Sequence, residues 1–381
     1  MTPGSVAGEG GVGAGRSAPH LAVFVSPHGF GHAARASAVM EALHRRVGAR
    51  FELFATTPRW FFDESVRGLY RFHEVVTDVG FFQRSALAYD LERTVEAVRS
   101  LVPFHPDLVT GLALEVRRSG CSAVLCDVSP LGIAVADRAG LPSVLVENFS
   151  WPWLYEPLLA EAPELALLSE ELDRWIGLAH LHLQAEPYCF SDPRAHASVL
   201  PVSRPPRRAR EELRRGLGLG EEARVVVLTM GGYAEDMPFL GRLETLEDVT
   251  FIVIGCPVTE TRGNLRLFDN ATRLYMPELV RASDALVAKL GYSTIAEVWR
   301  EGRPAAFVTR PHSREMAPLR AWTSERIPGF EVPGAEFAAG AWIDRIPELL
   351  DTPPPPAHPR GGAEQVVDHM LERFPALGSG R

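Results

Sequence analysis

Two short stretches of this chain set chemically competent side chains directly after apolar runs: PHGFGH at 27–32 and KLGYSTIAE at 289–297. A glycine turn that opens a helix presents bare backbone N–H groups at the positive end of the helix dipole, a setting that suits phosphate. In the first stretch His32 falls at the helix start, where it can act as a general base on an acceptor hydroxyl. Capping the helix or bonding a loop is the alternative role. His28, Gly29 and Gly31 belong to the same turn, and His28 either meets a ligand or only shapes the turn. Asp127 and Asn148 close two further apolar runs, AVLCD and SVLVEN. Asp127 can orient His32 or bind substrate; either residue can equally be a plain loop cap. Trp151, with Phe149, Ser150 and Trp153, offers a wall on which a sugar ring can stack, or a surface that packs on another part of the molecule.

The second stretch is denser. Gly291, Tyr292, Ser293 and Thr294 place a glycine, hydroxyls and a helix start after a strand; Ser293 and Thr294 can donate to phosphate oxygens or cap the helix. Lys289 is the sole lysine among 39 basic residues. It can supply a mobile point charge to a diphosphate or simply face solvent. Upstream, Gly231, Gly232 and Tyr233 follow another apolar run and can wrap a diphosphate. Downstream, Glu315 can accept from both ribose hydroxyls, because a carboxylate takes two O–H donors; a helix-dipole role is the alternative. Arg310 can pair with phosphate or with Glu315. Glu297, inside the helix, reads as structural.

These residues need a scaffold that presents strand ends to a common space. Apolar runs at 21–26, 51–55, 123–126 and 144–146 alternate with helical periodicity at 36–43, 91–101 and 131–139. Short buried strands alternating with helices predict a parallel sheet covered on both faces, whose ligands bind beyond the carboxyl ends of the strands. Residues 151–184 read as one or two helices. The Pro-rich basic run PVSRPPRRAR, 201–210, reads as a linker. The pattern then restarts, with strands at 225–229, 251–254, 285–288 and 305–309. The expected organisation is a disordered leader at 1–19, an acceptor-side domain at 20–200, the linker, a nucleotide-side domain at 211–352, and a terminal helix at 360–375 that packs back toward the first domain.

With 381 residues, 46% hydrophobic and a net charge of −9, the chain can build ordinary globular cores and shows no overall basic footprint for nucleic acid. Its four cysteines form no CxxC pair and no metal-ligand spacing with histidine, so reduced thiols and a cytoplasmic location are expected. No apolar run is long enough to span a bilayer, which leaves peripheral membrane contact open.

SPHGFGHAARASAVMEAL, LCDVSPLGIAVADRAGLPSVLVENFSW and AKLGYSTIAEVWREGRPAAFVTRP, in that order, resemble the glycosyltransferase-like N-terminal domain of L-arabinokinase-type proteins. The chain is more distantly similar to the MurG and UDP-glycosyltransferase group. The resemblance runs from about Leu21 to Phe374. It implies a GT-B architecture: two Rossmann-like α/β domains with parallel sheets facing an interdomain cleft. It also implies inverting, metal-independent chemistry, with His32 beside the acceptor, Gly231–Gly232 and Gly291–Thr294 beside the donor phosphates, and Glu315 holding ribose. The sequence departs from these families in its first loop, HGFGH, which is less glycine-rich than in MurG. It also lacks the acidic–Gln pair of plant-type transferases after Glu315. The arabinokinase relatives carry a sugar kinase domain after this region; the chain ends without one, and no kinase activity is expected.

The function implied is transfer of a sugar from a nucleoside diphosphate sugar, UDP-linked, to a small-molecule or glycan acceptor, with no bound cofactor. The rivals are a sugar-nucleotide hydrolase or epimerase on the same fold, and a non-catalytic sugar-nucleotide sensor.

Overall fold

A computed structural model describes residues 18–85, 88–231, 237–310 and 313–378. Most of the expected leader, residues 1–17, lies outside the described residues, as do Gly232 and Tyr233. In chain order the strands are β1 (His20–Val25), β2 (Arg50–Ala55), β3 (Tyr70–Glu74), β4 (Gln83–Ser85), β5 (Ala88–Tyr89), β6 (Ala123–Asp127), β7 (Ser143–Glu147), β8 (Leu181–Ala185) and β9 (Ala197–Val199) in the first half. The second half adds β10 (Arg224–Thr229), β11 (Val249–Cys256), β12 (Glu260–Arg262), β13 (Leu265–Asp269), β14 (Ala285–Lys289), β15 (Ala305–Thr309) and β16 (Gly329–Pro333).

Two seven-stranded sheets result, ordered β3-β2-β1-β6-β7-β8-β9 and β12-β13-β11-β10-β14-β15-β16. Every pairing in them is parallel except β12 with β13. Each sheet is doubly wound, so its order reverses at one point: between β1 and β6 in the first, between β10 and β14 in the second. Ligand crevices in such sheets open at that reversal. The first glycine loop follows β1 and Asp127 ends β6. Gly231 follows β10 and Lys289 ends β14.

The strands read as continuous apolar runs because both faces are covered. Leu21, Val23 and Val25 join one core, Ala22 and Phe24 the other. Helix contact with the sheet is close at Gly132, where an added Cβ would stand 2.6 Å from Cys126 Sγ and 2.9 Å from Phe24 Cβ. Overpacking of this kind costs about 1–3 kcal/mol. Gly132→Ala is therefore expected to lower stability by that amount in a denaturant titration, whereas Gly111→Ala, where the added Cβ meets open space, is not.

Residues 151–184 are more divided than one or two helices. Trp151–Tyr155 and Leu165–Ile176 are helical, but Leu181–Ala185 is a central strand buried throughout. Its short LHLQA run carries two polar side chains that find partners only in the folded sheet, so no apolar pattern announces it. The run at 201–209 is irregular and leads into the helix Arg210–Gly216. The helix Gly362–Arg373 packs against the helix Phe30–Val47 through Ala363, Val366, Val367 and Met370, and Glu364 pairs with Arg45 at 3.2 Å. All four cysteines are free thiols. No described helix is long and apolar enough to cross a membrane.

Candidate functional site

A cavity of about 670 Å³ lies between the carboxyl ends of the two sheets and is lined from both halves. The helices that follow the two glycine loops, Phe30–Val47 and Tyr292–Glu301, start on opposite sides of it. They approach closely: a Cβ on Gly31 would stand 3.8 Å from Ser293 Oγ. Two helix N-termini therefore face one space, and their unpaired N–H groups make it a place for negative charge.

His32 lies in the first turn of the first helix and is 6% exposed. Its Nδ1 is 2.8 Å from Asp127 Oδ1. Arg35, one turn further along the helix, donates Nε to Asp127 Oδ2 at 2.6 Å and Nη2 to Oδ1 at 2.7 Å. Burial works against the charge of Asp127, but the Arg35 guanidinium and the His32 bond outweigh it and hold the carboxyl below its ordinary range. An ionised Asp127 takes the Nδ1 proton, so the lone pair of the neutral ring sits on Nε2. Arg35 belongs to neither glycine motif of the sequence. Its signal was its position three residues after His32, which puts both on one helix face.

His28 also lines the cavity, with its ring edge-on to Trp151 at a centroid distance of 5.5 Å. Gly80 makes room for it, since a Cβ there would fall 2.0 Å from His28 Nδ1. Burial, followed by the positive charges of His32 and Lys289, lowers its pKa from 6.5 to about 4. Between those two pH values an unfolded chain binds more protons at this residue than the folded one. Stability therefore falls as pH drops from 6.5 toward 4. His28→Gln is expected to flatten that part of the slope, measured by denaturant titration at steps across this range.

One first-half assignment changes. Trp151 is not a cleft wall: its ring is 1% exposed, its Nε1 donates to Asp78 Oδ2 at 3.0 Å, and it belongs to the core. An indole beside a buried carboxylate gains more from that bond than from a place at a wet surface. Asn148 does line the cavity, but its side-chain amide donates to the carbonyls of Ala185 and Pro187 and so fixes the loop after β8. Phe149 lines the cavity but is nearly as buried as Trp151 and belongs to the same core, with its ring 5.8 Å from that of Tyr292. Trp153 sits against the second half, with the Arg314 guanidinium 4.1 Å from its ring centre.

On the second-half side, Gly231 takes φ +73° and lies under Lys289, whose Nζ would be 3.6 Å from a Cβ at that glycine. Gly291 is the residue before the helix, and Lys289 Cε stands 3.8 Å from its own would-be Cβ. Lys289, Gly291, Ser293, Thr294, Arg310 and Glu315 all line the cavity. Tyr292 lines it too, but its hydroxyl is engaged by Cys189 Sγ at 2.9 Å and by Glu315. Burial raises the pKa of Glu315, opposed by the Tyr292 bond and by the charges of His32 and Lys289. Glu297, expected to be structural, is buried and paired with Arg204 and also lines the cavity; burial pushes its carboxyl up to about 7 against the opposing pull of Arg204.

No protein-family model matches the chain. It is 28% identical over 377 residues to L-arabinokinase of Arabidopsis thaliana, a match that takes in 94% of this chain and 35% of that protein. The chain thus spans about a third of the length of that relative. It is 24% identical over 276 residues to an uncharacterized glycosyltransferase of Methanopyrus kandleri, covering 65% of this chain and 76% of the relative. Among solved structures, a UDP-glucosyltransferase from Polygonum tinctorium superposes with a TM-score of 0.60 at 12% identity, covering 95% of this chain and all of that one. Identity that low speaks for the fold alone. With two doubly wound sheets facing a shared cavity, the chain has the GT-B fold of glycosyltransferases and resembles L-arabinokinase along almost its whole described length.

Proposed function

We propose that the chain transfers a sugar from a nucleoside diphosphate sugar, UDP-linked, to a hydroxyl or amine of an acceptor, with inversion and without a metal in the reaction. The observation that carries this is the Arg35–Asp127–His32 chain at one helix N-terminus, facing the helix start at Tyr292–Thr294 and Lys289 across the same cavity. Asp127 holds the His32 ring so that Nε2 takes the acceptor proton. The acceptor oxygen then bonds to the anomeric carbon as the bond to the diphosphate breaks on the opposite face. The departing charge is received by backbone N–H groups of the second helix start and by the Lys289 ammonium. Glu315 accepts donor hydroxyls in this reading.

Binding comes first in the test. A ligand held only by the folded chain raises its stability by about 2.7 kcal/mol at a hundred times its Kd. In a thermal-shift panel of nucleotides and nucleotide sugars, UDP or a UDP-sugar is expected to raise the melting temperature. If no nucleotide does so, the proposal fails. Incubation with donor alone then separates transfer from its rivals: rapid hydrolysis or isomerisation without acceptor would replace the transferase reading.

A further inference from the structure

We propose that the first half of the cavity receives an acceptor whose hydroxyl is carried on an uncharged apolar body, a ring system or a hydrocarbon chain, rather than on a saccharide. The inference rests on the transferase reading above and names the substrate class for its acceptor side. With the diphosphate set against the second half, the acceptor is left the part of the cavity that the first half lines. Beyond His32 and His28 that lining includes Phe81, Leu91, Leu154 and Leu158, together with the exposed Glu161.

Three segments build this apolar arm. Gly80 packs against the His28 ring, so Phe81 follows directly beside the two histidines. The Phe81 ring stands edge-on to Trp151 and Tyr155, with centroids 6.2 and 5.6 Å apart. Leu91 opens the helix Leu91–Leu101, whose start is tied back to the same loop. The Asp90 amide donates to the Phe82 carbonyl at 2.7 Å, and the Phe82 amide donates to Thr94 Oγ1 at 3.0 Å. Leu154 lies on the helix Trp151–Tyr155, and Leu158 on the single turn that continues it. Leu154 belongs to the core, while Phe81, Leu91 and Leu158 are half-buried and pack against that core.

Hydrogen-bond supply decides between the acceptor classes. A hydroxyl buried without a partner costs about 1–3 kcal/mol, and a saccharide brings several. The four apolar side chains of the arm can meet none of them. The polar groups behind the arm are already engaged: Trp151 Nε1 with Asp78, the Tyr155 hydroxyl with the Val79 carbonyl, and the Asn148 amide with two carbonyls. His32 takes the reacting hydroxyl, and His28, kept neutral by burial, can serve one more. A phosphorylated acceptor fits no better. Among the described first-half residues the guanidinium that lines the cavity is that of Arg35, which is committed to Asp127. An apolar body needs no partners and gains about 25 cal/mol for each Å² it removes from water.

The test uses the full chain with UDP present and reads acceptor binding by calorimetry. 1-Naphthol and 1-octanol are the apolar probes, and methyl α-glucopyranoside is the saccharide. At least one apolar probe is expected to bind saturably, about tenfold or more tighter than the glucoside, the equivalent of one unpaired hydroxyl. Leu91→Asp and Leu158→Asp should each weaken that binding about tenfold or more. Leu167→Asp, at an exposed position on the helix Leu165–Ile176, should not. Leu91→Gln and Leu158→Gln carry the same test without a buried charge. The melting shift given by UDP should persist in every variant, which shows that each is folded and reads the donor side separately. Loss of that shift in the parent chain would count against the transferase reading. A UDP shift with no binding of either apolar probe would overturn this inference alone. So would a glucoside that binds as tightly as the apolar probes, or apolar binding unchanged by the Leu91→Gln/Leu158→Gln double change.

Discussion

Replacing His32 with alanine is expected to lower turnover with a nucleotide sugar and acceptor by about 10²- to 10⁴-fold, the usual contribution of a positioned general base. Donor affinity should change little, because the phosphate-binding groups lie on the other half, at Gly231, Lys289 and the helix start Tyr292–Thr294. The two readouts together make the experiment decisive. A histidine that merely caps its helix would alter stability and leave turnover per folded molecule intact. Asp127→Asn separates the roles further. It keeps the shape but removes the charge that takes the Nδ1 proton at 2.8 Å and that pairs with Arg35 at 2.6 Å. The ring then loses its fixed tautomer, and turnover should fall in the same direction. Arg35 is left buried and unpaired, so a drop in stability should accompany it. If His32→Ala retains full turnover at saturating donor, His32 is not the base, and the sensor reading gains.

The candidate site was legible at strand ends and obscure wherever tertiary placement decides. A buried parallel strand must run apolar to its end, so the first polar residue after it marks the crevice. Asp127 and Lys289 stood out for that reason. The same logic found Asn148 but could not tell that its amide is used by the backbone of the next loop. Trp151 resembled a sugar platform because it follows a strand. The residue that draws it into the core, Asp78, lies 73 positions upstream and carries no local signal. Glu297 read as structural because a carboxylate inside a helical run looks like any solvated or capped glutamate; nothing local announced the burial against Arg204 that raises its pKa.

Arg204 shows the strongest case of placement overriding composition, and its removal should have the largest effect on stability. In sequence it is one of several arginines in a Pro-rich connector, the usual mark of a solvated linker. In the structure it is 3% exposed. Nη1 reaches Glu64 Oε2 at 2.9 Å on the helix Arg59–Val66 of the first half, and Nη2 reaches Glu297 Oε1 at 3.5 Å on the helix Tyr292–Glu301 of the second. Its guanidinium also lies between the rings of Phe61 and Tyr275, 4.6 and 4.9 Å from their centres. One side chain thus joins a carboxylate and an aromatic ring from each half, at the point where the chain passes between them. Arg204→Ala leaves the buried Glu297 without its cation and removes one from the partly buried Glu64, which costs about 3–5 kcal/mol. The loss should depend on pH. Burial already raises the pKa of both Glu64 and Glu297 above the ordinary value, Glu297 to about 7. Without the guanidinium they rise further. A carboxyl with a folded pKa above its unfolded one makes the folded state hold more protons, so stability falls as pH rises through that window. Arg204→Ala should therefore be most damaging near pH 8 and milder near pH 5.5, in denaturant titrations at both. Arg204→Lys keeps the charge but cannot reach both carboxylates with a planar fork or stack between the rings, and should fall between the two. A loss under 1 kcal/mol with no pH dependence would mean the halves are held by other contacts. The expected loss would instead make the connector a buried pin that sets the cleft in which His32 and Lys289 meet.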